Sequence, residues 1–138
     1  MLEGIKKLHF VGIGGVGMSA IAEVMLDKGY EISGSDLSES AVVKHLKAKG
    51  ATIYKGHDAL NVEGKEALVL SSAIHQDNPE LVAAKAKGLK LISSFDILAY
   101  LLNFYSVQFI NEIGGLYSQL RPCGSESAFY CVPSRFDI

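Results

Sequence analysis

The 138-residue sequence predicts an α/β fold: a doubly wound parallel sheet of five strands in the order 3-2-1-4-5, followed by an irregular C-terminal tail. Three observations predict it. Short apolar runs of strand length alternate with segments of helical spacing through about the first hundred residues. Glycines at 29, 50 and 88 fall where successive helices should stop. A Gly12-x-Gly14-x-x-Gly17 pattern sits directly between the first strand and the first helix, which is the context that lets backbone N–H groups meet a pyrophosphate.

Taken in order, Leu8 to Val11 is an apolar strand ending in the glycine loop. Met18 to Lys28 follows a helical period through Ile21, Val24, Met25 and Leu26, and Gly29 supplies the residue type that leaves a helix in the left-handed conformation. Glu31 to Ser35 is a second strand closing on Asp36. Ser38 or Ser40 caps a helix carrying Val42, Val43 and Leu46, which Gly50 terminates. Thr52 to Tyr54 is a third strand, followed by Gly56-His57-Asp58. Ala67 to Leu70, almost wholly apolar, reads as a fourth strand buried on both faces and runs out into Ser71-Ser72-Ala73-Ile74. Asn78-Pro79-Glu80 opens a helix, with Asn as cap, Pro at the first helical position and Glu in the first turn; Gly88 ends it. Leu89 to Ile92 makes the fifth strand, and Ser94 caps a short helix to about Leu102. Beyond it neither period is sustained: Phe104 to Ile110 reads as one more strand and the residues after Leu120 mostly as loop. The expected division is a binding domain at 1–102 and an atypical tail at 103–138.

Bulk properties remove several functions. With 49% hydrophobic and 20% charged residues, the chain has the composition of an ordinary globular domain. A net charge of −2 with scattered Lys and Arg gives no nucleic-acid footprint. No apolar run reaches the roughly 18 residues of a membrane span, and Met1 to Lys7 has no apolar signal core, so a cytoplasmic setting without a membrane partner is expected. Cys123 and Cys131 read as free thiols of a reducing compartment, a mutual disulfide being the alternative. No His, Cys and carboxylate group has metal-ligand spacing, and no nucleophile is paired with a base, so neither a metal site nor a catalytic residue is expected.

Four polar clusters share the carboxyl edge of the predicted sheet, where its strand order reverses: the glycine loop, Ser35-Asp36, Gly56-His57 and Ser71-Ser72-Ala73. In the loop, Gly12 permits the tight turn, Gly14 leaves room for phosphate, and Gly17 allows close helix–strand packing. Asp36 reads either as the acceptor of ribose hydroxyls or as the start of a turn. His57 reads as a ligand contact or as a cap on the third strand, and Ser71-Ser72 as phosphate or base contacts or simply as a polar strand exit. His45 and His75 read as surface residues. On the glycines and Asp36 alone, the domain is equally an NAD-binding module of an oxidoreductase or regulator.

Taken together, His9 to Ser19, Gly29-Tyr30, Ser33-Gly34-Ser35-Asp36, Gly56-His57, Ser71 to Ile74 and Asn78-Pro79-Glu80 resemble the Mur ligase family of peptidoglycan synthesis. Within it they resemble the enzymes that join L-alanine to UDP-N-acetylmuramate, with the murein-tripeptide recycling ligases second. The resemblance covers about residues 5 to 102 and implies the family's N-terminal, UDP-sugar-binding domain. It implies that Gly14, Gly15, Val16, Gly17 and Met18 hold the diphosphate of UDP-N-acetylmuramate, with Gly12 also among the residues of that site. It also implies that Ser35, Asp36, His57, Ser71, Ser72, Ala73 and Ile74 line the uridine and sugar-phosphate side. The family binds ATP and Mg through a Gly-Thr-His-Gly-Lys-Thr loop; the corresponding stretch here, Val107 to Gly115, has neither Lys nor Thr. Binding of the UDP-sugar without a cofactor and without catalysis is therefore the expectation for this chain. A second departure is Ser93-Ser94-Phe95, where members of the family carry an arginine. A non-enzymatic alternative assigns the tail to self-association through Phe104, Tyr105, Phe109 and Tyr117.

Overall fold

The computed structural model describes residues 2–119, 121–122 and 130–131. In chain order the elements are β1 (Lys7–Val11), α1 (Val16–Asp27), β2 (Glu31–Asp36), α2 (Ala41–Ala48), β3 (Thr52–Lys55), a 3₁₀ turn (Ala59–Val62), β4 (Ala67–Leu70), α3 (Pro79–Ala86), β5 (Lys90–Ser93) and α4 (Ser94–Gln119). All five strands are parallel, in the order β3-β2-β1-β4-β5, as the alternation of periods predicts. Met1–Tyr100 form one compact unit and Leu101–Ile138 a second, in which β6 (Arg121–Pro122) pairs antiparallel with β7 (Tyr130–Cys131). Cys123 and most of the stretch read as loop lie outside the described residues. Among the described residues no helix is long and apolar enough to cross a membrane.

Local chemistry accounts for the element ends. Ser40, not Ser38, caps α2, its hydroxyl accepting the Val43 N–H at 3.3 Å. Asn78 accepts the Glu80 N–H at 2.9 Å at the start of α3, with Pro79 behind it. Ser93 rather than Ser94 accepts the Phe95 N–H, at 3.2 Å. The segment after Leu102 corrects two expectations: α4 does not stop there, and Phe104 to Ile110 is helix rather than strand. No glycine or proline occurs between Ser94 and Ile113, so nothing interrupts the helix once begun. Ser106 stays within it by donating to the Leu102 carbonyl at 2.7 Å.

Right-handed crossovers that run first toward β3 and then toward β5 place α1 and α2 on one face of the sheet and α3 on the other. β4 has Ala67, Leu68 and Val69 fully buried, the double-sided burial its composition predicts. Side chains alternate between the faces. On the α3 face, Val11 and Leu68 pack with Val62, Leu81 and Ala84.

The same face carries something no apolar count predicts. Glu80, in the first turn of α3, is 0% exposed, and its carboxylate collects four side-chain donors. Oε1 accepts from His9 Nε2 at 2.9 Å and Asn61 Nδ2 at 2.8 Å; Oε2 accepts from Ser35 Oγ at 2.6 Å and His57 Nδ1 at 2.8 Å. Because a carboxylate only accepts, each imidazole carries a proton on the nitrogen that faces it. His9 reaches further through Nδ1 to Ser33 Oγ at 2.9 Å, and Asn61 to the Gly56 carbonyl at 3.2 Å. Burial pushes the Glu80 carboxyl up, but the bonds from His9, Ser35, Asn61 and His57 outweigh it and hold the group at about 2.

Three predictions come from this packing. Replacing Glu80 by alanine strands three buried donors and the half-buried His57, and should cost about 3–5 kcal/mol in chemical denaturation; a loss near zero would show that the network is not a cohesive element. The charged form is the one the fold favours, so the contribution of Glu80 is complete above its ordinary value of 4.5 and declines as pH falls toward about 2. Melting temperature should therefore drop across that window in the native chain and more shallowly in Glu80→Gln. Glu23 is also held low, by His45 and Lys49, but at the surface, so high salt should erase its share and leave that of Glu80.

Candidate functional site

The parallel strands end along one edge, and the strand order reverses between β1 and β4. A cleft of about 470 Å³ opens there. Gly12, Gly15, Gly17, Met18 and Ile21 form one wall; Asp36, Ser71, Ser72, Ala73 and Ile74, with Ser94, Phe95 and Leu98, form the rest.

The glycine loop is built from below. Gly12 turns the chain out of β1 at φ +73°, a conformation open to glycine at little cost. Its N–H and that of Ile13 both donate to the Ser35 carbonyl, at 2.8 and 3.0 Å. Ile13 then drops its side chain into the core, 0% exposed, onto Gly34, where a Cβ would stand 2.5 Å from Ile13 Cδ1. Gly14 donates to Asp36 Oδ2 at 2.8 Å. A Cβ on Gly14 would lie 2.6 Å from that oxygen and 3.0 Å from Val43, whereas one on Gly17 would meet nothing within 4 Å. Close packing is thus the task of Gly14 and Gly34, and Gly17 is the residue with free space beside it, which reassigns the roles read from the motif.

α1 begins without the device that closes the other helix starts. Ser40, Asp58 and Asn78 cap α2, the 3₁₀ turn and α3, but Gly15 offers α1 no side chain, and its first turn holds no acidic residue. The N–H groups of Val16, Gly17 and Met18 have no acceptor among the described residues. Three donors and the positive end of the helix dipole therefore remain available at the edge of the cleft. Asp36 is spent elsewhere: besides Gly14 it accepts the Ser38 N–H at 3.0 Å and hydroxyl at 3.3 Å, which realises the turn role while keeping it on the cleft wall.

Of the residues singled out in the sequence, the cleft gathers Gly12, Gly15, Gly17, Met18, Asp36, Ser71, Ser72, Ala73 and Ile74. Gly14, Val16, Ser35 and His57 do not line it. Gly14 sits on Asp36, and Val16 projects outward at 92% exposure. Ser35 is fully buried on Glu80, and His57 directs Nδ1 to the same carboxylate. His45 and His75 lie at the surface. Sequence reasoning missed Ile21, Phe95 and Leu98 as wall residues and Glu80, Asn61, Ser33 and His9 as a network. The available signal was polar residues at His9, Ser33 and Ser35 on strands expected to be buried, which require a buried partner. Among the described residues no group of three or more His, Cys, Asp or Glu is placed to hold a metal ion. Val107 to Gly115 lie inside α4 without a Lys or Thr, and this segment does not fit the phosphates of ATP.

A family model described as "Mur ligase family, catalytic domain" matches residues 7–106. The UDP-N-acetylmuramate–L-alanine ligase of Hydrogenobaculum sp. (strain Y04AAS1) is 60% identical over 97 residues, which are 70% of this chain and 22% of that relative. The crystal structure of UDP-N-acetylmuramate–alanine ligase from Thermotoga maritima superposes with a TM-score of 0.67 at 32% identity, covering 70% of this chain and 23% of that one. A UDP-N-acetylmuramate:L-alanyl-γ-D-glutamyl-meso-diaminopimelate ligase from Neisseria meningitides gives a TM-score of 0.61 at 28% identity over 66% of this chain and 29% of its own. The chain thus spans about a fifth of the length of the curated relatives it matches. A match over residues 7–106 takes in the whole of the five-stranded sheet and its cleft, and the chain belongs to the Mur ligase family.

Proposed function

We propose that residues 1–102 are the UDP-N-acetylmuramate-binding domain of a cytoplasmic ligase that adds L-alanine to that nucleotide sugar in peptidoglycan synthesis. The observation that carries the reading is the uncapped start of α1 at the edge of the cleft. Three free N–H groups at a helix N-terminus suit a diphosphate, and Ser71 and Ser72 across the cleft add hydroxyls. Met18, Ile21, Ile74, Phe95 and Leu98 give the same cleft an apolar wall for the flat or carbon-bound faces of a base or sugar. The names and 50–60% identities of the curated relatives support a UDP-sugar over a nicotinamide dinucleotide, and L-alanine addition over peptide recycling.

In this reading the 138-residue chain contributes recognition and not the phosphoryl chemistry. ATP and Mg, which the family resemblance implies for the ligase reaction, are assigned in this reading to parts of the longer relatives that the 138 residues do not match. Residues 107–115, where their phosphate loop would correspond, form part of a helix that offers no cation to a transferring phosphoryl group.

Calorimetric titration of the whole chain with UDP-N-acetylmuramate should give saturable heat that UDP abolishes by competition. NADH should give no fluorescence enhancement, and ATP no turnover. Absence of heat with the UDP-sugar, or enhancement of NADH fluorescence, overturns the proposal. Gly17→Asp offers a sharper test. The open space at Gly17 admits the side chain, and a carboxylate in the first turn of α1 favours the helix. It should therefore leave the melting temperature unchanged or raised while weakening UDP binding about tenfold or more through like-charge repulsion. Unchanged affinity would move the diphosphate away from α1.

A further inference from the structure

We infer that Glu80 is a positioning residue for the glycine loop: from the far face of the sheet it fixes Ser35, and Ser35 carries the loop. The inference rests on the nucleotide-binding reading above and goes beyond it, since Glu80 does not line the cleft.

The connection is a run of short bonds. Ser35, 0% exposed, donates its hydroxyl to Glu80 Oε2 at 2.6 Å. The carbonyl of the same residue accepts the N–H groups of Gly12 and Ile13, the first two residues of the loop. The next residue, Asp36, accepts the N–H of Gly14. Three consecutive loop amides therefore rest on two adjacent residues of β2, and the first of those is pinned by Glu80. The strand on the other side of the loop is held by the same group, because His9 of β1 donates to Oε1. His57 and Asn61 satisfy the remaining acceptor positions of the carboxylate.

A pinned β2 peptide presents its carbonyl in one orientation. That carbonyl sets the height of Gly12 and Ile13, and through the 3.1 Å bond from the Gly15 N–H to the Gly12 carbonyl it sets the direction in which α1 starts. Releasing the Ser35 hydroxyl lets the peptide rock, so the donors at the head of α1 no longer converge on one point. Convergent donors are what an anion site requires, and misplacement by a fraction of an ångström weakens such contacts steeply.

The test titrates UDP into the full chain and into Glu80→Gln, Ser35→Ala, the double variant and Leu46→Ala, with melting temperature and amide NMR shifts recorded for each. Glu80→Gln and Ser35→Ala should each weaken UDP binding about tenfold, and the double variant no more than either alone, as expected for residues acting in series. The amides of Gly12, Ile13 and Gly14 should shift in both. Leu46, fully buried in α2, is the control: its truncation should lower the melting temperature and leave UDP affinity unchanged. Native affinity in Ser35→Ala, additive losses in the double variant, or a Leu46→Ala loss as large as that of Glu80→Gln would each overturn the inference. The last would mean that affinity merely follows stability. If Glu80→Gln does not fold, the affinity and amide shifts of Ser35→Ala decide alone. Failure of the native chain to bind UDP defeats the nucleotide reading and the inference with it, and is distinct from a variant that binds like the native chain.

Discussion

An ionised carboxylate enclosed in a protein interior costs several kcal/mol unless donors surround it, and Glu80 is surrounded by donors from four places in the chain. His9 comes from the central strand, Ser35 from its neighbour, His57 from the exit of β3 and Asn61 from the 3₁₀ turn; Glu80 itself comes from α3. An interaction of this kind contributes less to net stability than to choice of arrangement, because any packing that displaces one partner leaves a buried charge or a buried donor unmatched. Here it discriminates with particular force. His9, Ser33 and Ser35 reach the carboxylate or its histidine only while they face α3, and a slip of one residue in either strand would turn them to the other side. The apolar contacts of Val11, Leu68, Leu81 and Ala84 drive the face together, and the polar cluster specifies how.

The glycine loop inherits its shape from that arrangement. What looks in the sequence like a flexible cradle is, residue by residue, a structure with few choices. Gly12 supplies the turn, and Ile13 acts as a plug that only a strand glycine at 34 can accept. Gly14 is pressed against Asp36 and Val43. The consequence for the cleft is indirect. Asp36, an acidic residue of the cleft wall, is committed to Gly14 and to the turn at Ser38. The N–H groups that open α1 have no acceptor among the described residues.

The extent to which this was legible in the sequence divides along a physical line. Periodicity and breakers are local, so the five strands, the glycine stops and the strand order could be read directly. The wrong reading of 104–110 came from treating β-branched and aromatic content as strand where nothing punctuated the preceding helix. The parts of the cleft wall made from loop, Gly12, Gly15, Gly17 and Met18 with Ser71 to Ile74, were legible because topology alone puts them at the carboxyl edge. Ser35 and His57 were placed at the correct edge, but their side chains turn to Glu80, and the face a strand residue presents depends on parity that a short polar run does not reveal. Glu80 was legible only as a helix-start residue, a role it also fulfils. Its partners are separated from it by 19 to 71 positions, and no local pattern links them. Phe95 and Leu98 escaped for the same reason, since a wall exists only after β5 and the start of α4 are docked beside the loop.

The placement of a negative group behind a loop proposed to hold an anion looks self-defeating until the orientation of its partners is considered. A bare carboxylate on the far face would repel a diphosphate through a thin, low-dielectric sheet. Glu80 is not bare. Each oxygen has two donors, and two of the four are imidazole nitrogens. The dipoles of those donors point inward at the carboxylate and so present their positive ends to it, which shortens the reach of its field. On the cleft side, the uncancelled field is that of the first turn of α1, which carries no acidic residue and no cap. The α3 face of the sheet and its carboxyl edge thus solve opposite problems with the same means. On the α3 face a fixed anion is satisfied by converging donors from the chain. At the carboxyl edge the uncapped donors of α1 are left for the proposed anion, and Ser35 joins the two, its hydroxyl on Glu80 and its carbonyl on Gly12 and Ile13.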